Sequence, residues 1–201
     1  MWPEPFTATG RHVGVEELTQ DHHDDLVAAA ADGDLHRLWY TMVPKPDDVA
    51  AEIDRRRGLM ATGSMLPFAI IDRRDGATHG RAIGMTTYMN IDAANRRVEI
   101  GSTWYRQSVQ RSSLNTECKW LLLSKAFEEL DCIAVEFRTH FINHQSRSAI
   151  ERLGAKLDGI LRSHMIMADG SLRDTAVYSI TAAEWPMVKA NLTWKMEKPR
   201  G

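Results

Sequence analysis

Cysteine is scarce in this chain of 201 residues, which contains only Cys118 and Cys132. Two cysteines this far apart form neither a zinc knuckle nor a C-x-x-C redox pair, so we interpret both as packing residues in a reducing compartment. Long apolar runs are missing as well. None approaches the roughly 20 residues that span a bilayer, and the initial MWPEPFTATGRH has no signal-peptide pattern. The sequence therefore predicts a cytoplasmic protein that does not bind a membrane.

An excess of positive charge is absent too. The 25 Lys and Arg residues are balanced by 27 Asp and Glu residues, which gives a formal net charge of -2 and a pI of ≈ 6.4. A chain without a uniform positive field is a poor match for a nucleic-acid partner. With 43% hydrophobic and 26% charged residues and no internal repeat, the composition is typical of a globular enzyme. The length predicts a single domain over residues 1–201.

Hydrophobic periodicity divides the chain into helices and strands. The predicted helices are 21–39, 49–61, 115–130 and 145–153, with Asp21 as N-cap and Gly33 as weak point of the first and Gly154 as C-cap of the last. The predicted strands are 11–18, 66–72, 81–89, 96–105, 132–141 and two closing strands around a turn at Asp169-Gly170. The strands between 66 and 105 follow one another through short turns, so an antiparallel meander within an α+β fold is expected.

The segment before the helix 115–130 has the features of an anion-binding turn. A helix N-terminus offers unpaired N–H groups and a partial positive charge, and small residues let a phosphate approach. These features suit contact with a pyrophosphate. The residues of this segment are Gln110, Arg111, Ser112, Ser113, Leu114, Asn115 and Thr116. Ordinary helix capping by the serines and the asparagine explains the same residues without a ligand, and local spacing leaves both readings open.

The same segment resembles a motif of the GNAT superfamily of acetyltransferases. That family carries Q/R-x-x-G-x-G/A at this junction, and here the sequence reads QRSSLN. Gln110 matches, whereas Ser113 and Asn115 stand where the family has glycine or a small residue. Serine keeps its N–H donor, so we expect the anion cradle to persist provided that the turn does not require a positive φ.

The resemblance continues through the sequence that follows, with TE opening the helix, AFE near its end, a VEFRT strand, AIERLGA, and a closing RDTAVYSI with EWP. These elements are similar to the ribosomal-protein N-terminal acetyltransferase branch. The resemblance implies a mixed, mostly antiparallel sheet with helices on both faces and splayed fourth and fifth strands, here 96–105 and 132–141. It also implies acetyl-coenzyme A as acyl donor, with its pantetheine arm between those strands beside Ser102, Thr103 and Trp104.

Acyl transfer to an amine needs a base for the ammonium proton, and an acid for the leaving thiolate assists. Glu99 on the strand 96–105 is the predicted base, with Glu136 in reserve; the alternative is a surface carboxylate paired with arginine. By resemblance, Ser146 is assigned the thiolate acid and Asn143 a pantetheine contact, although both also suit the first turn of a helix. Arg147 is a candidate for contact with a phosphate of the donor, and the alternative is an arginine that is simply solvated.

The acceptor is less defined than the donor. Trp39, Tyr40 and Met42 precede Pro44 and could line an acceptor pocket, while core or dimer packing explains Trp39 equally. His140 and His144 lack a third ligand at a recognisable spacing, so no metal is expected.

Three functional hypotheses follow. An N-acetyltransferase would act on a primary amine, either a protein or peptide N-terminus or a small molecule. A sensor or scaffold would bind acyl-coenzyme A without turnover. An unrelated α+β domain would not bind coenzyme A at all. Each of these hypotheses is compatible with a homodimer.

Overall fold

The computed structural model describes residues 2–41 and 43–198. Its strands are β1 (Ala8–Thr9), β2 (Val13–Glu17), β3 (Met65–Asp72), β4 (Ala82–Asp92), β5 (Arg97–Tyr105), β6 (Ala134–His140), β7 (Lys156–Ile166) and β8 (Leu172–Thr181). They form one eight-stranded sheet in the order β1-β2-β3-β4-β5-β6-β8-β7. Every neighbouring pair is antiparallel except β5 and β6, which are parallel. The predicted mixed, mostly antiparallel α+β fold is confirmed.

Helices cover both faces of this sheet. They are α1 (His23–Ala30), α2 (Val49–Ala61), α3 (Leu114–Ser124), α4 (His144–Leu153) and α5 (Trp185–Glu197). Alternate strand residues point to opposite faces, and neighbours in β3 accordingly enter different cores. Phe68 packs in a core shared with α3, α4 and α5, whereas Ala69 packs in a core shared with α1 and α2. Within the described ranges, none of these helices has the length and apolar character to cross a membrane.

The first helix is shorter than the sequence predicts. It ends at Ala30 instead of continuing to residue 39, because Gly33 adopts φ 98° and the chain proceeds through a 3₁₀ turn at Leu35–Arg37. The start also differs. Asp21 is not an N-cap: Thr19 caps a 3₁₀ turn at Gln20–His22 that leads into α1, since its hydroxyl accepts the Asp21 N–H and the His22 ring accepts the Thr19 N–H in return. A linker over residues 31–48 therefore separates α1 from α2.

Two elements were not predicted, namely β1 and α5. The helix α5 begins at Trp185-Pro186, where proline in the first turn is favourable because its missing N–H has no helical partner there. Its buried Val188 and Leu192 lie four residues apart, a helical spacing that the sequence contains. The helix predicted over 115–130 is present, but its last part is a π-helical turn at Lys125–Glu129.

The strands β5 and β6 pair only at one end. Their register runs from Arg97–Ala134 to Glu99–Glu136, after which β5 continues to Tyr105 and β6 to His140 without further pairing. On its other side, β5 shifts register against β4 between Gly101 and Trp104, which is the signature of a β-bulge. The predicted splay between these strands is confirmed, and it opens the sheet at its centre.

Gly84 allows β4 to stay paired beside this bulge. A Cβ at that position would lie 2.1 Å from the Trp104 carbonyl oxygen and 2.9 Å from the Tyr105 Cα, and backbone atoms cannot swing aside. We expect Gly84→Ala to lower the free energy of unfolding by about 2–3 kcal/mol in urea denaturation, as for an overpacked core. Gly58→Ala on the exposed face of α2, with no neighbouring atom within 4 Å, should instead raise it by about 0.5–1 kcal/mol. Equal effects of the two changes would contradict this account.

Candidate functional site

A cleft of ≈ 1080 Å³ occupies the space where β5 and β6 separate. The bulged part of β5 and the free end of β6 form two of its walls, and the loop before α3 and the first turn of α4 form its ends. The linker between α1 and α2 and the tip of the β7–β8 hairpin close the remaining side. A cavity of this size suits a ligand larger than an amino acid.

Most of the predicted site residues meet in this cleft. Those that line it are Glu99, Ser102, Thr103, Trp104, Gln110, Arg111, Ser112, Asn115, Asn143 and Ser146. Ser113, Leu114, Thr116 and Arg147 are not among the lining residues. Leu114 is instead fully buried in the core. The guanidinium of Arg147 faces away, because its Nε donates to the Tyr178 hydroxyl at 2.8 Å and its Nη1 to the Phe141 carbonyl at 3.3 Å.

The loop before α3 accommodates serine in place of glycine. Ser113 has φ -72°, so no left-handed conformation is required there, and the positive φ of this turn falls on Arg111 at 58°. The Ser112 hydroxyl donates to the Val109 carbonyl at 2.6 Å and holds the turn closed. In the first helical turn, the N–H groups of Asn115 and Thr116 have no hydrogen-bond acceptor among residues 2–41 and 43–198. The loop thus presents free donors for an anion.

Arg56 fixes the bulge of β5 from the face of the sheet that carries α2. It is 1% exposed, and its Nη2 donates to the Ser102 carbonyl at 3.1 Å while its Nη1 donates to the Thr87 hydroxyl at 2.9 Å. Its charge is compensated by Glu52 at 2.7 Å. Ser102 itself adopts φ 47°, a conformation that non-glycine residues rarely hold without such support.

Lys119 fixes the same bulge from the opposite face. It is 6% exposed on α3, lines the cleft, and donates from Nζ to the Thr103 hydroxyl at 2.7 Å and to the Thr86 hydroxyl at 3.3 Å. No carboxylate lies within 4 Å of its Nζ in the part of the chain that the structure describes. Burial lowers the pKa of Lys119 to about 8. Sequence analysis did not identify this residue, since a lysine between apolar helix positions is usually solvated.

Glu99 is buried rather than a surface carboxylate. It is 5% exposed and stands at the last paired position of β5, where the cleft begins. Its Oε2 accepts from Asn90 Nδ2 at 2.6 Å and lies 3.4 Å from Arg138 Nε. Burial raises the pKa of Glu99 above its ordinary value, against the lowering effects of Asn90 and Arg138. The raised pKa makes this carboxylate a stronger base than a solvated glutamate and lies closer to neutral pH, where a general base works best.

Glu136 is the neighbour of Glu99 across the strand pair, but its surroundings differ. Arg97 donates to one of its oxygens, and Arg138 donates to the other from Nη2 at 2.9 Å. It does not line the cleft. Two arginines occupy its oxygens, so Glu136 is not available as a base.

The first turn of α4 carries the other two predicted residues. Asn143 is the N-cap of this helix, and its Oδ1 accepts the Ser146 N–H at 3.0 Å. Both residues also line the cleft. Capping and a position in the cleft therefore coexist, as the sequence allowed.

Several basic residues at the far end of the cleft were not predicted. Arg138 and His140 alternate along β6, Arg173 lies on β8, and His164 lies on β7. His140 faces Thr175 in the strand register, which brings the three strands together at this end. The period-two spacing of Arg138 and His140 was the sequence feature from which two of these residues could have been predicted to share one face of a strand.

The linker between α1 and α2 borders the same end of the cleft. Tyr40 lines it, whereas Trp39 packs edge-on against His140 at 5.4 Å and is 54% exposed. Met42 lies outside the described residues. Among the described residues, no group of three His, Cys, Asp or Glu side chains is placed to hold a metal ion.

Comparison with known proteins identifies relatives. The family model described as "Acetyltransferase (GNAT) domain" matches residues 12–156. The "Putative ribosomal N-acetyltransferase YdaF" of Bacillus subtilis is 31% identical over 106 residues, which are 53% of this chain and only 57% of that protein. The crystal structure of a GCN5-related N-acetyltransferase from Brucella melitensis is 33% identical with a TM-score of 0.85, over 96% of this chain and 86% of that one.

A more distant structure shares the fold. Mycobacterium smegmatis RimJ, solved in complex with CoA-disulfide, is 22% identical with a TM-score of 0.78, over 96% of this chain and 95% of that one. At this identity the likeness concerns the architecture alone.

The buried charge of Lys119 predicts a pH-dependent stability. Its pKa of about 8 lies below the 10.5 of a free lysine, so the folded state binds this proton less tightly, and stability is lost as the pH falls from about 10.5 to about 8. We expect Lys119→Met to raise the free energy of unfolding at pH 7 by on the order of 2 kcal/mol, because Thr86 and Thr103 still bond to each other at 2.8 Å. The gain should shrink as the pH rises above 8.

Urea denaturation at pH 7 and pH 9.5 measures this effect. Lys45→Met removes an exposed lysine and should change the free energy of unfolding by less than about 0.5 kcal/mol at both pH values. A Lys119→Met protein that is less stable than the parent at pH 7 would show that the hydrogen bonds of Nζ outweigh its desolvation.

Proposed function

The chain belongs to the GNAT acetyltransferase family, and we propose that it transfers an acetyl group from acetyl-coenzyme A to a primary amine. The amine attacks the thioester directly while both substrates are bound. The observation that carries this proposal is Glu99, a buried carboxyl group with a raised pKa at the point where the sheet opens into the cleft. An enzyme needs a base of this kind, whereas a protein that only binds its ligand does not.

The cleft offers suitable partners for each part of the donor. The free N–H group of Asn115 and the side chain of Arg111, which both line the cleft, would hold the pyrophosphate. Beyond Glu99, the edges of β5 and β6 that face each other are unpaired, and their backbone groups are available to the amides of a pantetheine arm. Asn143, at the start of α4, would contact the same arm. Bound acetyl-coenzyme A supplies an activated acyl group whose leaving group is a thiolate.

Glu99 would take the proton of the acceptor ammonium, directly or through one water molecule. Since the base must be ionised, the rate should rise with pH through the raised pKa of Glu99. Ser146, in the first turn of α4, would give a proton to the departing thiolate. The N-terminal position of this residue in the helix favours negative charge nearby.

The acceptor is a protein or peptide N-terminus or a small-molecule amine. The name of the Bacillus subtilis relative supports the first of these, although the match spans 57% of that protein. Binding of acyl-coenzyme A without turnover is the competing function. Measuring thiol release from acetyl-coenzyme A separates binding alone from acetyl transfer.

Glu99→Gln should lower kcat/KM at pH 7 by about 100-fold, because a neutral amide keeps the shape of the side chain but accepts no proton. The variant should also lose the rise of rate with pH. Thiol release from acetyl-coenzyme A over a panel of amines, measured between pH 5.5 and 9, tests both expectations. Thermal stabilisation by coenzyme A should be unchanged, which shows that the cleft is intact.

Glu136→Gln is the matched control, since this glutamate neighbours Glu99 in the sheet but does not line the cleft. It should lose far less activity. Undiminished turnover by Glu99→Gln at pH 7 would reject Glu99 as the base. Stabilisation of the parent protein by coenzyme A without thiol release on any amine would favour the binding function.

Ser146→Ala should lower kcat by roughly tenfold to a hundredfold while the KM for acetyl-coenzyme A stays the same, since the hydroxyl is proposed to act on the leaving group. Ser148→Ala, an exposed serine of the same helix at the cleft border, should leave kcat within about twofold. Steady-state kinetics of the two variants measures the difference. An increase in KM alone would indicate that Ser146 only binds the donor.

A further inference from the structure

We propose that the acceptor amine carries an anionic group, a carboxylate or a phosphate, and that Arg173 binds this group at the far end of the cleft. The inference rests on the proposed function and narrows its substrate class. The cleft end built from β6, β7 and β8 contains a guanidinium that the protein itself does not neutralise.

Arg173 is a half-buried cation without a counterion. Its Nε donates to the Thr175 hydroxyl at 3.0 Å, a neutral partner that leaves both Nη groups free. Among residues 2–41 and 43–198, no carboxylate oxygen lies within 4 Å of its guanidinium. Burial disfavours its charged form, and this lowers the pKa of Arg173. A guanidinium in this state gains most from an anion that arrives with a ligand.

The other charges nearby are already compensated. Arg138 contacts Glu136 at 2.9 Å and Glu99 at 3.4 Å, and Arg162 on the outer side of β7 pairs with Asp174 at 2.6 Å. Glu99 affects Arg173 only through its field, because among the described residues no ion pair joins them, and Asn90 and Arg138 contact the Glu99 Oε2 instead. Arg173 is therefore the cation at this end that has no assigned role within the chain.

Two histidines line the cleft beside Arg173, and His140 adds a neutral donor. Burial and the charge of Arg173 both lower the pKa of His140, so its ring is neutral at pH 7. The His140 Nδ1 accepts the Ile142 N–H at 3.3 Å, which leaves Nε2 as the donor of that ring. His164 contacts the Thr175 hydroxyl at 3.1 Å. One cation with a neutral donor beside it is a site for a single anionic group.

The register of the strands places this site relative to the base. Glu99 and Glu136 are paired, and Arg138 and His140 follow on the same face of β6 by period two. Thr175, which faces His140, shares its side of β8 with Arg173. The base and the anion site thus lie along one face of the sheet, so the nitrogen and the anionic group of one molecule can occupy both.

Matched acceptor pairs test this substrate class. The pairs are a dipeptide and its C-terminal amide, a tetrapeptide with Asp or Asn at its second position, and an aminoalkyl phosphonate and its neutral diester. We expect kcat/KM to be at least about tenfold higher for the anionic member of one or more pairs, as for a charge-assisted contact to guanidinium. The pair with the largest ratio identifies the source of the anion.

The ratio of kcat/KM for the anionic member to that for the neutral member should fall to about one in Arg173→Met. Arg173→Lys should retain part of the preference for the anionic member, because lysine keeps the charge but not the bidentate geometry. The neutral members should react at nearly the parent rate, which excludes a folding defect. Arg162→Met, on the same hairpin but paired with Asp174 and outside the cleft, should keep the parent ratio.

Calorimetric titration of the acceptor pairs in the presence of coenzyme A measures acceptor binding without turnover. Tighter binding of the anionic member by the parent and not by Arg173→Met supports the anion site even if no amine is acetylated, in which case only the proposed function fails. Equal binding of both members by the parent, or an unchanged preference in Arg173→Met, overturns the inference while the transferase activity can still stand.

Discussion

The bulge of β5 at Ser102 and Thr103 is the constraint on which the cleft depends. A regular strand at this position would continue its pairing with β6, and the sheet would be closed where the cleft now lies. Pairing stops after Glu99, and from there the backbone edges of both strands are open. The conformation is unfavourable for serine, since φ is 47° at Ser102. Contacts from other residues must therefore stabilise this conformation.

Two buried cations hold the bulge from opposite faces of the sheet. Arg56 reaches the Ser102 carbonyl from α2, and Lys119 reaches the Thr103 hydroxyl from α3. The two cations differ in whether a carboxylate compensates their charge. Arg56 is neutralised by Glu52, while Lys119 and Arg173 have only hydroxyl partners among the described side chains, and both line the cleft. The uncompensated charge is thus concentrated where a ligand with anionic or polar groups would enter, and in that location a ligand can offset its desolvation.

The sequence predicted the elements better than it predicted the buried charges. The bounds of α2 and the meander agree with the prediction, because apolar periodicity reports burial directly. The splay between β5 and β6, which the family resemblance implied, is also present. The early end of α1 depended on the backbone of Gly33, which a hydrophobic pattern does not register. Arg56, Lys119 and Arg173 could not be found from their neighbours in sequence. Each is buried by an element distant in the chain, and charged residues in helices and strands are usually solvated.

The loop before α3 shows why a motif can depart from its family pattern while its geometry is kept. A glycine is required where the backbone needs a positive φ or where a Cβ would block a close approach. In this chain the positive φ lies at Arg111, and Ser113 has a right-handed helical conformation, with φ -72°, that any residue can adopt. The donors of the turn are backbone N–H groups, which serine and asparagine supply as well as glycine does. A loss of motif glycines is therefore no argument against anion binding here, and the case for a non-catalytic binding protein must be made from turnover alone.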